Sequence, residues 1–272
     1  MSLLYAKSSD EIGHAATLSS SVAMDPYYPV TNIQTFSPSA VGLTLAQIGS
    51  GWRLVWDHGS AKDVQAFSLH HHNIPAGTSG VKVQRNAANS WGGPTMDYTL
   101  PIATFPTIGL PLPEAVDLRA VAGYSAGGFR YSSLFIPALS QLGGIGSALW
   151  WATLRSDIRH VRYPEREGEG YPSTPFPTAY GPEDGYKLGV RRRSMPGSFR
   201  QRDGSWAAFL ALFRACKTVD NAFLWWSDAT GSDGWLAGLS EDDLVREIPI
   251  NGVYDFDATV YERTCGLAIP TA

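Results

Sequence analysis

The chain has 272 residues, 44% of them hydrophobic and only 17% charged, with a formal net charge of −4 and a pI near 5.8. That apolar content supports a packed core and excludes wholesale disorder, and the acidic balance excludes a global basic field for nucleic acid. Two cysteines, Cys216 and Cys265, are too few for a disulfide scaffold, and no Cys/His cluster has zinc spacing; two reduced, buried thiols are expected.

The first residues, Met-Ser-Leu-Leu-Tyr-Ala-Lys, lack a basic segment followed by a long apolar one, so no signal peptide is expected. With 28 Gly and 18 Pro, turns are frequent, which favours many short strands over long helices. Strand-like runs open the chain at 17–23 and 41–45. Residues 52–56 (Trp-Arg-Leu-Val-Trp) place bulky side chains at alternate positions, the period of a strand. Asp57-His58-Gly59-Ser60 then reads as a turn. Neither face of 64–69 is wholly polar, so that strand is expected to be buried on both sides. Residues 81–85 alternate cleanly. The Gly-, Pro-, Asn- and Ser-rich stretch 88–128 reads as a long loop region with two short strands, the kind of place where binding surfaces sit.

Arg130 and Arg155 bracket a segment without any charge, long enough to cross a bilayer. Pro137, Gly143, Gly144 and Gly146 interrupt it, and it reads instead as a strand at 129–136, a turn around Gln-Leu-Gly-Gly, and a strand at 145–153. No membrane span is expected. From 156 to 185 the chain is polar and rich in Pro and Gly, as in a linker or an arm lying on a neighbour. Residues 1–155 hold eight basic and eight acidic side chains, and 156–272 hold 13 and 17, a contrast expected of two domains. In the second half, Asp203 caps a predicted helix at 205–217 with Trp206, Phe209, Leu210 and Phe213 at helical spacing. Strands are predicted at 222–227, 243–250 and 254–262.

Catalytic chemistry finds little support. His70, His71 and His72 put two imidazoles on one strand face, but no carboxylate is spaced to complete a metal site. Gly123-Tyr124-Ser125-Ala126-Gly127 fits the nucleophile elbow of hydrolases, yet strand-like residues follow it where a helix is required. Glu165, Glu167 and Glu169 lie where little would desolvate them, and no phosphate-binding Gly-rich loop exists. No enzyme, cofactor or metal is expected. The basic run around Arg191, Arg192 and Arg193 stands out from an acidic chain. It suits a subunit interface meeting acidic surface better than a nucleic-acid patch. In the loop region, Asn89 and Trp91 offer an amide and a stacking ring, a candidate glycan-binding pair.

Residues 50–75 carry a family signal. Trp52-Arg53-Leu54-Val55-Trp56-Asp57-His58-Gly59, followed by Ala61-Lys62-Asp63-Val64-Gln65-Ala66-Phe67 and then His72-Asn73, resembles the discoidin-like (galactose-binding-like) jelly roll. The variant with His72-Asn73 is similar to forms found in structural proteins of tailed bacteriophages. The resemblance implies a mainly β protein: a jelly-roll β-sandwich over 1–155, an arm at 156–185, and a β-rich domain with one helix over 186–272. It also implies a subunit of the tail tip or baseplate, assembled in the host cytoplasm into the virion. Its partners would be other tail proteins and further copies of itself, held through Arg191, Arg192 and Arg193. The alternative is a carbohydrate-binding module for a host-surface glycan.

Overall fold

The computed structural model describes residues 2–37, 40–102, 114–160, 168–170, 173–178, 181–187, 192–201, 223–226, 234–239, 245–250, 253–262 and 269. Among these residues, ten strands occupy the first part of the chain: β1 (Ser2–Ala6), β2 (Thr17–Ser20), β3 (Gly42–Gln47), β4 (Trp52–Lys62), β5 (Ala66–His72), β6 (Lys82–Asn86), β7 (Met96–Thr99), β8 (Glu114–Asp117), β9 (Phe129–Ile136) and β10 (Leu142–Trp151). Nine follow: β11 (Arg155–His160), β12 (Gly168–Gly170), β13 (Ser173–Thr178), β14 (Gly181–Lys187), β15 (Arg192–Gln201), β16 (Phe223–Trp226), β17 (Gly234–Leu239), β18 (Val245–Ile250) and β19 (Val253–Glu262).

Two antiparallel sheets make the sandwich. One has five strands in the order β2-β4-β9-β6-β7, the other four in the order β3-β10-β5-β8. Period-two alternation explains why these residues pair as they do. On β4, Trp52, Leu54 and Trp56 turn inward; Leu134 and Ile136 of β9 and Val83 of β6 join them on the same face. Phe67 and Leu69 of β5 and Trp150 of β10 meet them from the opposite sheet. Trp150 packs edge-on against Trp56 at 5.5 Å and against Phe67 at 4.6 Å between ring centroids. Each such fully buried side chain stabilises the fold by about 1.5–3 kcal/mol. This is an antiparallel β-sandwich within a mainly β protein, the architecture class that the resemblance implied.

The remaining strands form an eight-stranded sheet, β12-β15-β11-β1-β16-β17-β19-β18, and a separate pair, β13-β14. Strand β1, at the start of the chain, pairs with β11 and β16 and so belongs to this sheet. A second apolar cluster joins the two bodies. Ala66, Leu149, Trp151 and Leu154 come from the sandwich, and Ala6, Leu224, Trp226 and Leu236 from the large sheet. The outer face of the four-stranded sheet is thereby covered. That is why six of the seven residues of β5 are buried, as its two-sided apolar pattern required.

Two expectations need correction. The turn expected at 57–60 is not a strand end. β4 runs on to Lys62 through a bulge, its register against β9 shifting between Asp57 and Lys62, with Gly59 at φ +74°. The Gly-Gly step at 143–144 is not a turn either. Both glycines lie inside β10, where a side chain at 143 would collide with Ile48 and Trp52. Within 156–185, read from composition as a linker or arm, the described residues are strands β11 to β14. The predicted helix at 205–217, with Cys216, and also Cys265, lie outside the described residues. Among the described residues no helix is long and apolar enough to cross a membrane.

Candidate carbohydrate-binding surface

With the four-stranded sheet covered, the sandwich turns the other face of its five-stranded sheet outward. Register defines the rows on that face. Arg53 of β4 stands beside Phe135 of β9, then Lys82 of β6 and Thr99 of β7. The next row runs Ser19, Val55, Ser133, Gln84 and Asp97. Arg53 is thus the charged exception in the run Trp52 to Trp56, and strand alternation is what sends it outward.

Its guanidinium is held firmly. Nη1 donates to Gln84 Oε1 at 2.6 Å and to Ser133 Oγ at 2.8 Å. The guanidinium carbon lies 4.8 Å from the centroid of the Phe135 ring and 5.2 Å from that of Trp91, so two aromatic rings flank the cation. Burial lowers the Arg53 pKa, opposed by the charge of Asp97. Asp97 itself pairs with Lys82 at 2.8 Å.

Trp91 reaches this place from the loop between β6 and β7, which is stapled internally. The Asn86 side-chain amide donates to the Ser90 carbonyl at 2.7 Å, and its Oδ1 accepts from the Ala87 N–H and the Thr95 hydroxyl at 3.0 Å each. The Trp91 indole N–H donates to Asn89 Oδ1 at 2.8 Å. Asn89 and Trp91, singled out in the sequence, are therefore brought together, with Asn89 exposed and the indole half-buried. Sequence reasoning missed Arg53, Gln84, Ser133 and Phe135. The available signal was Arg53 itself, an arginine at an outward position of an otherwise apolar strand.

The other motifs go elsewhere. His70 and His72 are buried on the covered side of β5, while His71 adopts a left-handed backbone at φ 51°. Among the described residues no three metal-ligating side chains come together. Ser125 sits in the turn between a 3₁₀ segment (Leu118–Ala120) and β9, with no helix after it. Arg192 and Arg193 fall on β15, with Arg193 opposite Glu169 of β12 in the register; Arg191 lies outside the described residues.

Neither a family model nor a curated protein matches the chain. Solved structures do, over about half of it. A chitosan-binding module from a chitosanase/glucanase of Paenibacillus sp. IK-5 is 12% identical; the match covers 52% of this chain and 98% of that one, with a TM-score of 0.37. The lectin domain of Lectinolysin, complexed with Lewis B antigen, is 12% identical over 52% of this chain and 96% of its own, with a TM-score of 0.38. The family 32 carbohydrate-binding module of C. perfringens NanJ, complexed with galactose, is 10% identical over 54% and 98%, again with a TM-score of 0.38.

Proposed function

We propose that the chain is a carbohydrate-binding module that recognises a surface glycan through the outer face of its five-stranded sheet. The supporting observation is the Arg53 guanidinium within about 5 Å of both the Trp91 and Phe135 rings, beside a stapled loop. Aromatic rings offer apolar area to the C–H face of a pyranose, and the polar groups around them suit its hydroxyls. The internal hydrogen bonds of the loop fix its shape before a ligand arrives, which lowers the ordering cost of binding. On a phage tail, the setting implied by the sequence resemblance, such a module would serve attachment to the host.

A glycan array probed with the full chain and with Trp91→Ala tests the proposal. The wild type is expected to bind a discrete set of glycans, and the variant to bind them about tenfold or more weakly. Trp91 is half-buried in a surface loop, so its loss leaves the sandwich core intact. Silence across the array and across bacterial surface polysaccharides, or equal binding by both proteins, would refute it.

A further inference from the structure

Resting on that reading, we infer that the glycan is acidic and that Arg53 takes the carboxylate of a uronic-acid-type sugar through the Nε/Nη2 edge of its guanidinium. A guanidinium presents five N–H donors, and the Nε/Nη2 edge matches the two oxygens of a carboxylate. Two other arginines of this chain use that edge in this way. Arg130 donates from Nε and Nη2 to the two oxygens of Asp57 at 2.8 Å each, and Arg119 does the same to Asp117 at 2.9 and 2.7 Å.

Arg53 is built differently. Its anchors, Gln84 Oε1 and Ser133 Oγ, are neutral and both accept from Nη1, so they fix the side chain without consuming the carboxylate-matching edge. Phe135 and Trp91 lie 4.8 and 5.2 Å from the guanidinium carbon, so the cation stands among aromatic rings and not among competing carboxylates. The carboxylate nearest in the sheet register, Asp97, is committed to Lys82. A partly desolvated cation fixed by neutral acceptors and flanked by rings is the complement of a sugar that brings its own negative charge. Arg53, Gln84 and Ser133 would set the charge specificity, and Trp91 the stacking.

The test titrates the full chain with oligogalacturonate, its fully methyl-esterified form, a sulfated carrageenan oligosaccharide and a neutral galactan oligosaccharide, with a sialic-acid oligomer as a second carboxylate source. Expected is binding to a carboxylated probe that weakens with added salt and falls about tenfold or more on esterification. The esterification arm needs no variant. Arg53→Lys and Arg53→Gln, checked for native circular dichroism, are expected to lose the same preference, since an ammonium cannot bind a carboxylate through a planar fork. Equal affinity for ester and acid, or tight binding of neutral galactan that Arg53→Gln leaves unchanged, would overturn the inference while leaving glycan binding in place. Preference for the sulfated probe would overturn the carboxylate assignment. Binding to no carbohydrate at all would remove the proposed function itself.

Discussion

A buried arginine and a half-buried histidine show how single side chains set the terms of this fold. Arg85 of β6 points into the sandwich core and is fully buried. Its Nε donates to Ser132 Oγ, and its Nη2 to the carbonyls of Lys62 and Phe129 at 2.8 and 3.1 Å, so it ties down the far end of β4 where that strand leaves the bulge. His58 lies on the same hydroxyl, with Nε2 at 2.9 Å from Ser132 Oγ. Burial, and then the charge of Arg85, push its pKa down to about 4, with Asp57 opposing. The unfolded chain therefore binds the His58 proton more readily. The stabilisation from keeping His58 neutral is complete above about pH 6.5 and is lost as the pH falls towards 4. Glu11 acts in the opposite sense, because burial raises its carboxyl pKa and the folded state gains that proton first. Comparison with His58→Gln separates the two. Between pH 7 and pH 4 the wild type is expected to lose about 2–3 kcal/mol more stability than the variant, read from urea unfolding. A gap between the two proteins that is constant with pH would exclude His58 as the titrating group.

Among the elements, β10 is where local sequence signals and tertiary packing part company. Gly143 and Gly144 look like a turn because glycine usually marks one. In the fold they mark a close approach, since a methyl group at 143 would meet Ile48 and the Trp52 indole. Gly143→Ala is expected to cost about 1–3 kcal/mol through overpacking, measured as a lower denaturant midpoint with an unchanged slope. Gly59, with open space around it but φ +74°, should lose only about 1–2 kcal/mol on the same change, from backbone strain alone. A midpoint for Gly143→Ala equal to the wild type would mean that Ile48 and Trp52 yield without cost. The alternating strands were legible: residues 129–136 form β9 with the expected bounds, and the described residues of 88–128 include two short strands, β7 and β8. The bulge after Asp57 was not, because Asp-His-Gly-Ser carries turn chemistry and only pairing with β9 keeps it extended. At the candidate site, Asn89 and Trp91 were visible as loop residues. Their partner Arg53 was not, since its meaning depends on Gln84 and Ser133, brought beside it by two different strands.

At the scale of the whole molecule, the decisive feature is that one face of the sandwich is spoken for. Trp151 donates its indole N–H to Ser68 at 2.8 Å and packs in the cluster with Trp226, Leu224 and Leu236 of the large sheet, all fully buried. Asp10 and Arg155, joined at 2.9 Å, tie the segment after β1 to the start of β11 in the large sheet. A shared core of this kind makes sandwich and sheet unfold together, because neither can lose the other without exposing tryptophan to water. Trp226→Ala is therefore expected to cost about 3–5 kcal/mol and to lower the melting of the whole chain as one calorimetric transition, though Trp226 lies outside the sandwich. Two separated transitions, with only one displaced by Trp226→Ala, would show independent bodies. The same coupling bears on recognition. The sheet face carrying Arg53 and Trp91 is the one turned away from the large sheet, so its geometry should survive Trp226→Ala at temperatures below melting, and affinity for the array glycans should be unchanged there. Loss of binding by folded Trp226→Ala would place the ligand at the junction of the two bodies instead.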